Sequence, residues 1–216
     1  MPPVVESIER PDGPLAADCL RSRLFERIQF FCEFARDPRS TGAIAPSSST
    51  LAEAMVRDMN LETARHVVEL GAGTGAFTSL IAERVPESAR FMAMELNPRL
   101  AASLRNSFED QVEVVCDSAV KLCRHLGRKS VGGVDAIVSS LPWVCFPMEE
   151  QRKILHEIRR ALRPGGRFAT FAYAHAAWLP SGLKFRRQLK QVFAHSEALP
   201  IVWRNLPPAF IYRCEN

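Results

Sequence analysis

From His66 onward, short β-branched runs alternate with stretches in which apolar residues recur every three or four positions. HVVEL, ARFMAME, VEVVCD, VDAIVSS and GRFATFAY are the predicted strands, and helices are expected over Ala76 to Arg84, Asn97 to Ser107, Ser118 to His125 and Met148 to Leu162. Such alternation implies a parallel sheet with helices on both faces. A further helix is predicted from Leu183 to Phe193, followed by two extended runs, LPIVW and AFIYR, that would close the sheet edge as an antiparallel addition. Upstream, residues 1–16 read as a loose tail rich in Pro and charge. Leu20, Leu24, Ile28, Phe31 and Phe34 then form one face of an amphipathic helix from Asp18 to Arg36, with Arg23 and Arg27 along the edge of its apolar stripe. A second helix is expected from about Ser48 to Asn60.

At 216 residues the chain has room for one α/β domain with an N-terminal extension. Its 28 basic and 24 acidic residues leave a net charge of +4, too mild for a dedicated nucleic-acid binder but inclined towards anionic partners. No apolar run is long enough to span a bilayer, and MPPVVESIERPDG has no secretion-signal pattern, so a cytosolic protein is expected. The six cysteines include no C-x-x-C pair, and no two of the five histidines sit at i, i+4, so a bound metal is not expected.

The chemistry concentrates at the strand ends. VVELGAGTGAFT, Val67 to Thr78, sets strand, glycine-rich turn and helix start in succession, which lets a ligand approach backbone at the carboxyl end of a parallel strand. Glu69, expected at the mouth of this loop, would repel a pyrophosphate and favour a cationic ligand. Glu95, closing the second strand about 20 residues on, is placed to accept both hydroxyls of a ribose. Asp117 closes the third, so three successive strands end in acids at one rim.

With these residues the chain resembles a class I S-adenosylmethionine-dependent methyltransferase, and ALRPGGRF is similar to another segment of that family. The resemblance implies a Rossmann-like α/β fold, a mostly parallel seven-stranded sheet, with a methyltransferase domain over 61–216. Residues 1–60 are expected to form an N-terminal helical extension serving as membrane contact and cofactor-site lid, because the Asp18 to Arg36 stripe carries Phe31 and Phe34 beside edge arginines; the alternative is a helix that simply packs on the sheet. It implies S-adenosyl-L-methionine as cofactor, with Gly71, Gly73 and Gly75 around its methionine part, Glu95 on the ribose and Asp117 facing the adenine amino group. Pro46, Ser47, Glu69, Leu96, Ser118, Ser139 and Leu141 complete the implied cofactor site.

RDPRSTGAIAPSSSTLA, SSLPWVCFPM, FAYA and WRNLPPAFIYR are similar, in this order, to segments of bacterial phospholipid N-methyltransferases, with Ser140 where that family usually has glycine. This narrower resemblance implies methylation of phosphatidylethanolamine towards phosphatidylcholine, or of another aminolipid such as ornithine lipid, by an enzyme held peripherally at the inner, anionic membrane face. Tyr173 would orient the amine and Trp143 would meet it by a cation–π contact. His175, Arg186, Arg187, Trp178 and Trp203 are secondary candidates near the acceptor. Ser140-Leu141-Pro142-Trp143 also resembles the Asn-Leu-Pro-aromatic motif of ribosomal RNA adenine dimethylases, in which the ring stacks on a flipped base. The small net charge and the absence of a following helical domain weigh against an RNA partner.

Overall fold

A computed structural model describes residues 47–127, 130–205 and 207–216. The predicted helix from Asp18 to Arg36, and Pro46, lie outside the described residues. The elements in chain order are α1 (Ser47–Val56), β1 (His66–Leu70), α2 (Ala76–Ala82), β2 (Arg90–Met94), α3 (Pro98–Phe108), β3 (Glu113–Val115) and α4 (Leu122–Leu126). β4 (Val134–Ser139), α5 (Met148–Ala161), β5 (Leu162–Tyr173), α6 (Ala174–Ala177), α7 (Pro180–Val192), β6 (His195–Ala198) and β7 (Ala209–Glu215) follow.

The strands form one seven-stranded sheet in the order β3-β2-β1-β4-β5-β7-β6. The first five run parallel, and β7 inserts antiparallel between β5 and β6. Alternation along the strands splits the core into two layers, as period-2 side chains require. Val68, Leu70, Met92 and Phe168 pack with Ile154 and Leu155 of α5 and Phe185 of α7. Val67, Phe91 and Ile211 pack on the other face with Met55 of α1, Ile81 of α2 and Leu104 of α3. Because α1 and Met59 share this core with the sheet, the domain boundary expected after residue 60 falls inside it.

Local chemistry explains the helix ends. Asn97 caps α3 by accepting from the N–H groups of Arg99 (2.9 Å) and Leu100 (3.4 Å), and Pro98 occupies the first helical position, where its missing N–H costs nothing. α5 carries Glu149 and Glu150 in its first turn and Arg159 and Arg160 in its last, matching the helix dipole at both ends.

Two expectations at the C-terminal side need correcting. β5 starts at Leu162 rather than Gly166, because Leu162 pairs with Val134 while Arg167 pairs with Ala136, so Arg163 to Gly166 bulge out between them. A side chain at Gly166 would lie 2.9 Å from two backbone carbonyls, those of Arg163 and Val134, so only glycine closes this bulge without displacing backbone. The edge strand β6 is HSEA, not LPIVW, which contributes an isolated bridge between Val202 and Ala209 and one bond from Leu199 N–H to the Ile211 carbonyl. No helix among the described residues is long and apolar enough to cross a membrane.

Candidate active site

The parallel strands deliver their carboxyl ends to one rim, and backbone bonds continue past the strands to hold the loops there. Gly71 N–H donates to the Met94 carbonyl (2.8 Å), Glu95 N–H to Val115 (3.0 Å) and Ser140 N–H to Leu70 (3.0 Å). Gly71, Gly73 and Gly75 adopt φ of 81°, 62° and 90°, a region that L side chains rarely occupy. A Cβ on Gly71 would also press on the Leu141 side chain at 3.0 Å, so the glycine turn and the segment after β4 are in direct contact. Ser140 Oγ strengthens that contact by donating to the Gly71 carbonyl.

Glu95 lies at the centre of this arrangement. It is 8% exposed; Oε2 accepts from Gly73 N–H at 2.7 Å and Oε1 from Asn97 N–H at 2.9 Å. Each carboxylate oxygen has a second lone pair, so the group keeps two acceptor positions at the rim for paired hydroxyls. Leu96, beside it, exposes an apolar side chain.

Glu69 is not at the mouth of the loop. It is 0% exposed, and its Oε2 accepts from Thr78 Oγ1 at 2.6 Å, which joins β1 to α2 beneath the turn. Strand alternation turns its side chain towards the helical layer that holds Ile81, away from the opening.

Asp117 stands at the end of β3, but its carboxylate is engaged by the chain itself. Oδ1 accepts from Lys121 Nζ and Ser118 N–H, and Oδ2 meets His125 Nε2, all at 2.8 Å. The bonds from Lys121 and then His125 hold its carboxyl well below the usual carboxylate range. Ser118 Oγ in turn accepts from Val120 N–H, capping the following turn.

Trp143 requires the clearest correction. Its ring is 1% exposed, stacked on Phe185 with centroids 4.8 Å apart and edge-on to Phe168, and its Nε1 donates to Thr170 Oγ1 at 2.7 Å. The expected cation–π contact with a substrate amine has no access to a ring enclosed in this way. The turn that carries it is held from α5 by Gln151 Nε2, which donates to the carbonyls of Trp143 (2.8 Å) and Phe146 (3.1 Å). Ser139 is fully buried, with its carbonyl accepting from Thr170 Oγ1 at 2.9 Å and its Oγ from Leu141 N–H at 3.3 Å.

Tyr173 closes β5 at the same rim, half-buried and edge-on to Phe171 at 5.5 Å. Ser47 opens α1. The side chain of His175 lies outside the described residues, while Arg186, Arg187, Trp178 and Trp203 are exposed.

The rim therefore gathers Gly71, Gly73, Gly75, Glu95, Leu96, Ser140 and Leu141, places Glu69 and Ser139 beneath it, and removes Trp143 to the core. Sequence reasoning missed Thr78, Thr170 and Gln151. Lys121 was missed as well, although its i, i+4 spacing from Asp117 is a signal that could have found it; Thr170, a threonine inside a strand, carries no such mark.

The fold and rim define an α/β enzyme that binds a nucleoside-bearing cofactor at its strand ends. Residues 67–166 match the family described as Methyltransferase domain. An ornithine lipid N-methyltransferase from Singulisphaera acidiphila is 34% identical over 189 residues, 87% of this chain and 94% of that protein. A human thiol S-methyltransferase is 30% identical over 112 residues, 51% of this chain and 43% of its own length. The structure of Burkholderia thailandensis 1,6-didemethyltoxoflavin-N1-methyltransferase with bound S-adenosylhomocysteine has the same fold, with a TM-score of 0.60 at 19% identity, covering 99% of this chain and 93% of that one. The chain belongs to the class I S-adenosylmethionine-dependent methyltransferases.

S-adenosylmethionine is its cofactor, and the rim fits it. Three left-handed glycines form the sharp turn at the carboxyl end of β1, and the buried carboxylate of Glu95, which holds Gly73 N–H of that turn, retains acceptor capacity for a ribose diol. These residues would hold the cofactor, with Leu96 against its base. When bound, the cofactor supplies a methyl group on a cationic sulfur, and the chain's contribution is to align an acceptor with it and exclude water.

Proposed function

We propose that the protein N-methylates the headgroup amine of a lipid at an anionic membrane surface. The observation that carries this reading is the extent of similarity to the ornithine lipid N-methyltransferase, which takes in 87% of the chain and therefore reaches well beyond the 67–166 methyltransferase segment. Transfer to an ammonium headgroup requires loss of a proton before the nitrogen lone pair can attack the methyl carbon. Tyr173, at the end of β5 on the same rim, is the residue proposed to orient that amine. Ornithine lipid and phosphatidylethanolamine share this chemistry. The relative favours the first, and the resemblance of the SSLPWVCFPM and WRNLPPAFIYR segments favours the second.

Burial of Trp143 weakens the RNA reading, because a ring packed between Phe185 and Phe168 offers no face to a flipped base. The test is transfer of a radiolabelled methyl group from S-adenosylmethionine to vesicles of ornithine lipid, vesicles of phosphatidylethanolamine and ribosomal RNA, run side by side. Label is expected in the lipid arms, and the faster arm identifies the headgroup. Label confined to RNA would overturn the proposal.

A further inference from the structure

We propose that the corner of the protein beyond β5 docks on an anionic bilayer through Trp178, Leu179, Leu183 and Trp203, with the basic face of α7 beside them. The inference rests on the lipid reading above and adds the surface that would bring the enzyme to its substrate.

Trp178 and Trp203 are 70% and 73% exposed, and Leu179 and Leu183 are also exposed. Large apolar side chains gathered in this way on a protein surface mark a contact site. The Trp178 ring stands edge-on to Phe210, with centroids 6.0 Å apart, so it has a packed support. Trp203 follows Val202, whose bridge partner Ala209 pairs directly with Tyr173. The patch thus sits at the end of the sheet where the acceptor is proposed to enter.

Charge identifies the occupant. α7 buries Phe185, Gln188 and Leu189 and exposes Lys184, Arg186, Arg187 and Lys190, with no acidic residue along its length. Arg204 adjoins Trp203, and the single acid between residues 174 and 204, Glu197, faces Arg213 at 3.9 Å. Indoles beside cations that form no ion pair among the described residues suit a surface that is apolar within and anionic at its boundary, which is the character of an acidic lipid interface.

The chain's three tryptophans provide the test, because Trp143 is enclosed and only Trp178 and Trp203 can meet lipid. Full-length protein is mixed with vesicles of phosphatidylglycerol and acyl-brominated phosphatidylcholine, and tryptophan fluorescence is read. Quenching is expected, reduced when phosphatidylglycerol is omitted or salt is added, and abolished in W178F/W203F, which keeps Trp143 alone. K184E/K190E should weaken vesicle binding about tenfold or more. Vesicle sedimentation without quenching would overturn the proposal, since contact would then lie elsewhere. A wild-type dimer that W178D/W203D converts to monomer, with no vesicle binding, would also overturn it by showing a second copy as the occupant. Methyl transfer to detergent-dispersed aminolipid is measured on the same preparation. Quenching without transfer defeats the lipid N-methyltransferase reading and leaves the surface standing, whereas transfer without quenching does the reverse.

Discussion

Trp143 Nε1 donates to Thr170 Oγ1 at 2.7 Å while that hydroxyl donates to the Ser139 carbonyl at 2.9 Å, so one buried side chain on β5 fixes both ends of the segment that covers Gly71. Thr170→Val keeps the shape and removes the hydroxyl, leaving an indole N–H and a carbonyl unsatisfied in the core. A loss of about 1–3 kcal/mol in urea unfolding is expected, largely recovered in Thr170→Ser. Equal stability of wild type and the valine variant would show that the relay contributes nothing.

Glu95 has a different vulnerability, because the carboxylate that holds Gly73 N–H is also the one proposed to meet the cofactor's ribose. Glu95→Ala removes the acceptor of Gly73 N–H and the proposed acceptor of the ribose hydroxyls, and each charge-assisted bond is worth about 1.5–3 kcal/mol. Affinity for S-adenosylhomocysteine, measured by calorimetry, should fall at least about tenfold. Glu95→Gln, which retains one carbonyl oxygen, should fall between the two. Unchanged affinity in both variants would remove Glu95 from the cofactor site.

The strand ends were legible in the sequence because glycine and charge are conspicuous against β-branched runs. Glu95 and the glycine turn stand where their spacing predicts. Glu69 and Trp143 were misplaced for a common reason: spacing gives the position of a residue along a strand or turn but not the side its side chain takes. Glu69 projects into the helical layer to reach Thr78, and Trp143 turns inward to Phe185. Those partners are 9 and 42 residues away and exist only once the layers have packed. The displaced edge strand has a similar origin. LPIVW is a better strand by composition than HSEA, yet the register of β7 pairs His195 to Ala198 with Tyr212 to Glu215, and tertiary pairing overrides propensity.

Cys116 offers a chemical probe of the adenine side of the rim. It is exposed, and its Sγ lies 3.9 Å from the Leu96 carbonyl, between the ends of β2 and β3. Burial pushes the thiols of Cys123 and Cys214 up to about 12, which leaves them scarcely ionised and slow to react. A maleimide reagent at neutral pH, read by site-resolved mass spectrometry, should therefore modify Cys116 well before Cys123 or Cys214. Saturating S-adenosylhomocysteine should slow modification of Cys116 severalfold. An unaltered rate would place the base away from Leu96 and Cys116.

The last expectation concerns acid. Asp117 receives bonds from Lys121, His125 and the Ser118 N–H, all of which favour its ionised form, so its folded-state pKa lies below the value it regains on unfolding. A carboxyl shifted in that direction adds stability that is fully present above its unfolded pKa of about 3.9 and is lost as pH falls towards the folded value, because the unfolded chain then binds the proton first. Asp117→Asn removes the titrating group. The stability difference between wild type and variant, from urea unfolding, should be constant above about pH 5 and shrink steadily below about pH 4. Lys121→Met in a chain that keeps Asp117 should make that decline smaller and end it at a higher pH, since the largest single support of the ionised form is gone and the folded pKa moves up towards the unfolded one. The carboxylate is partly exposed, so added salt should reduce the effect without reversing its sign. A difference between wild type and Asp117→Asn that stays flat from about pH 6 to pH 3 would mean that Asp117 keeps an ordinary pKa on folding, and that the Lys121 and His125 contacts do not persist in solution.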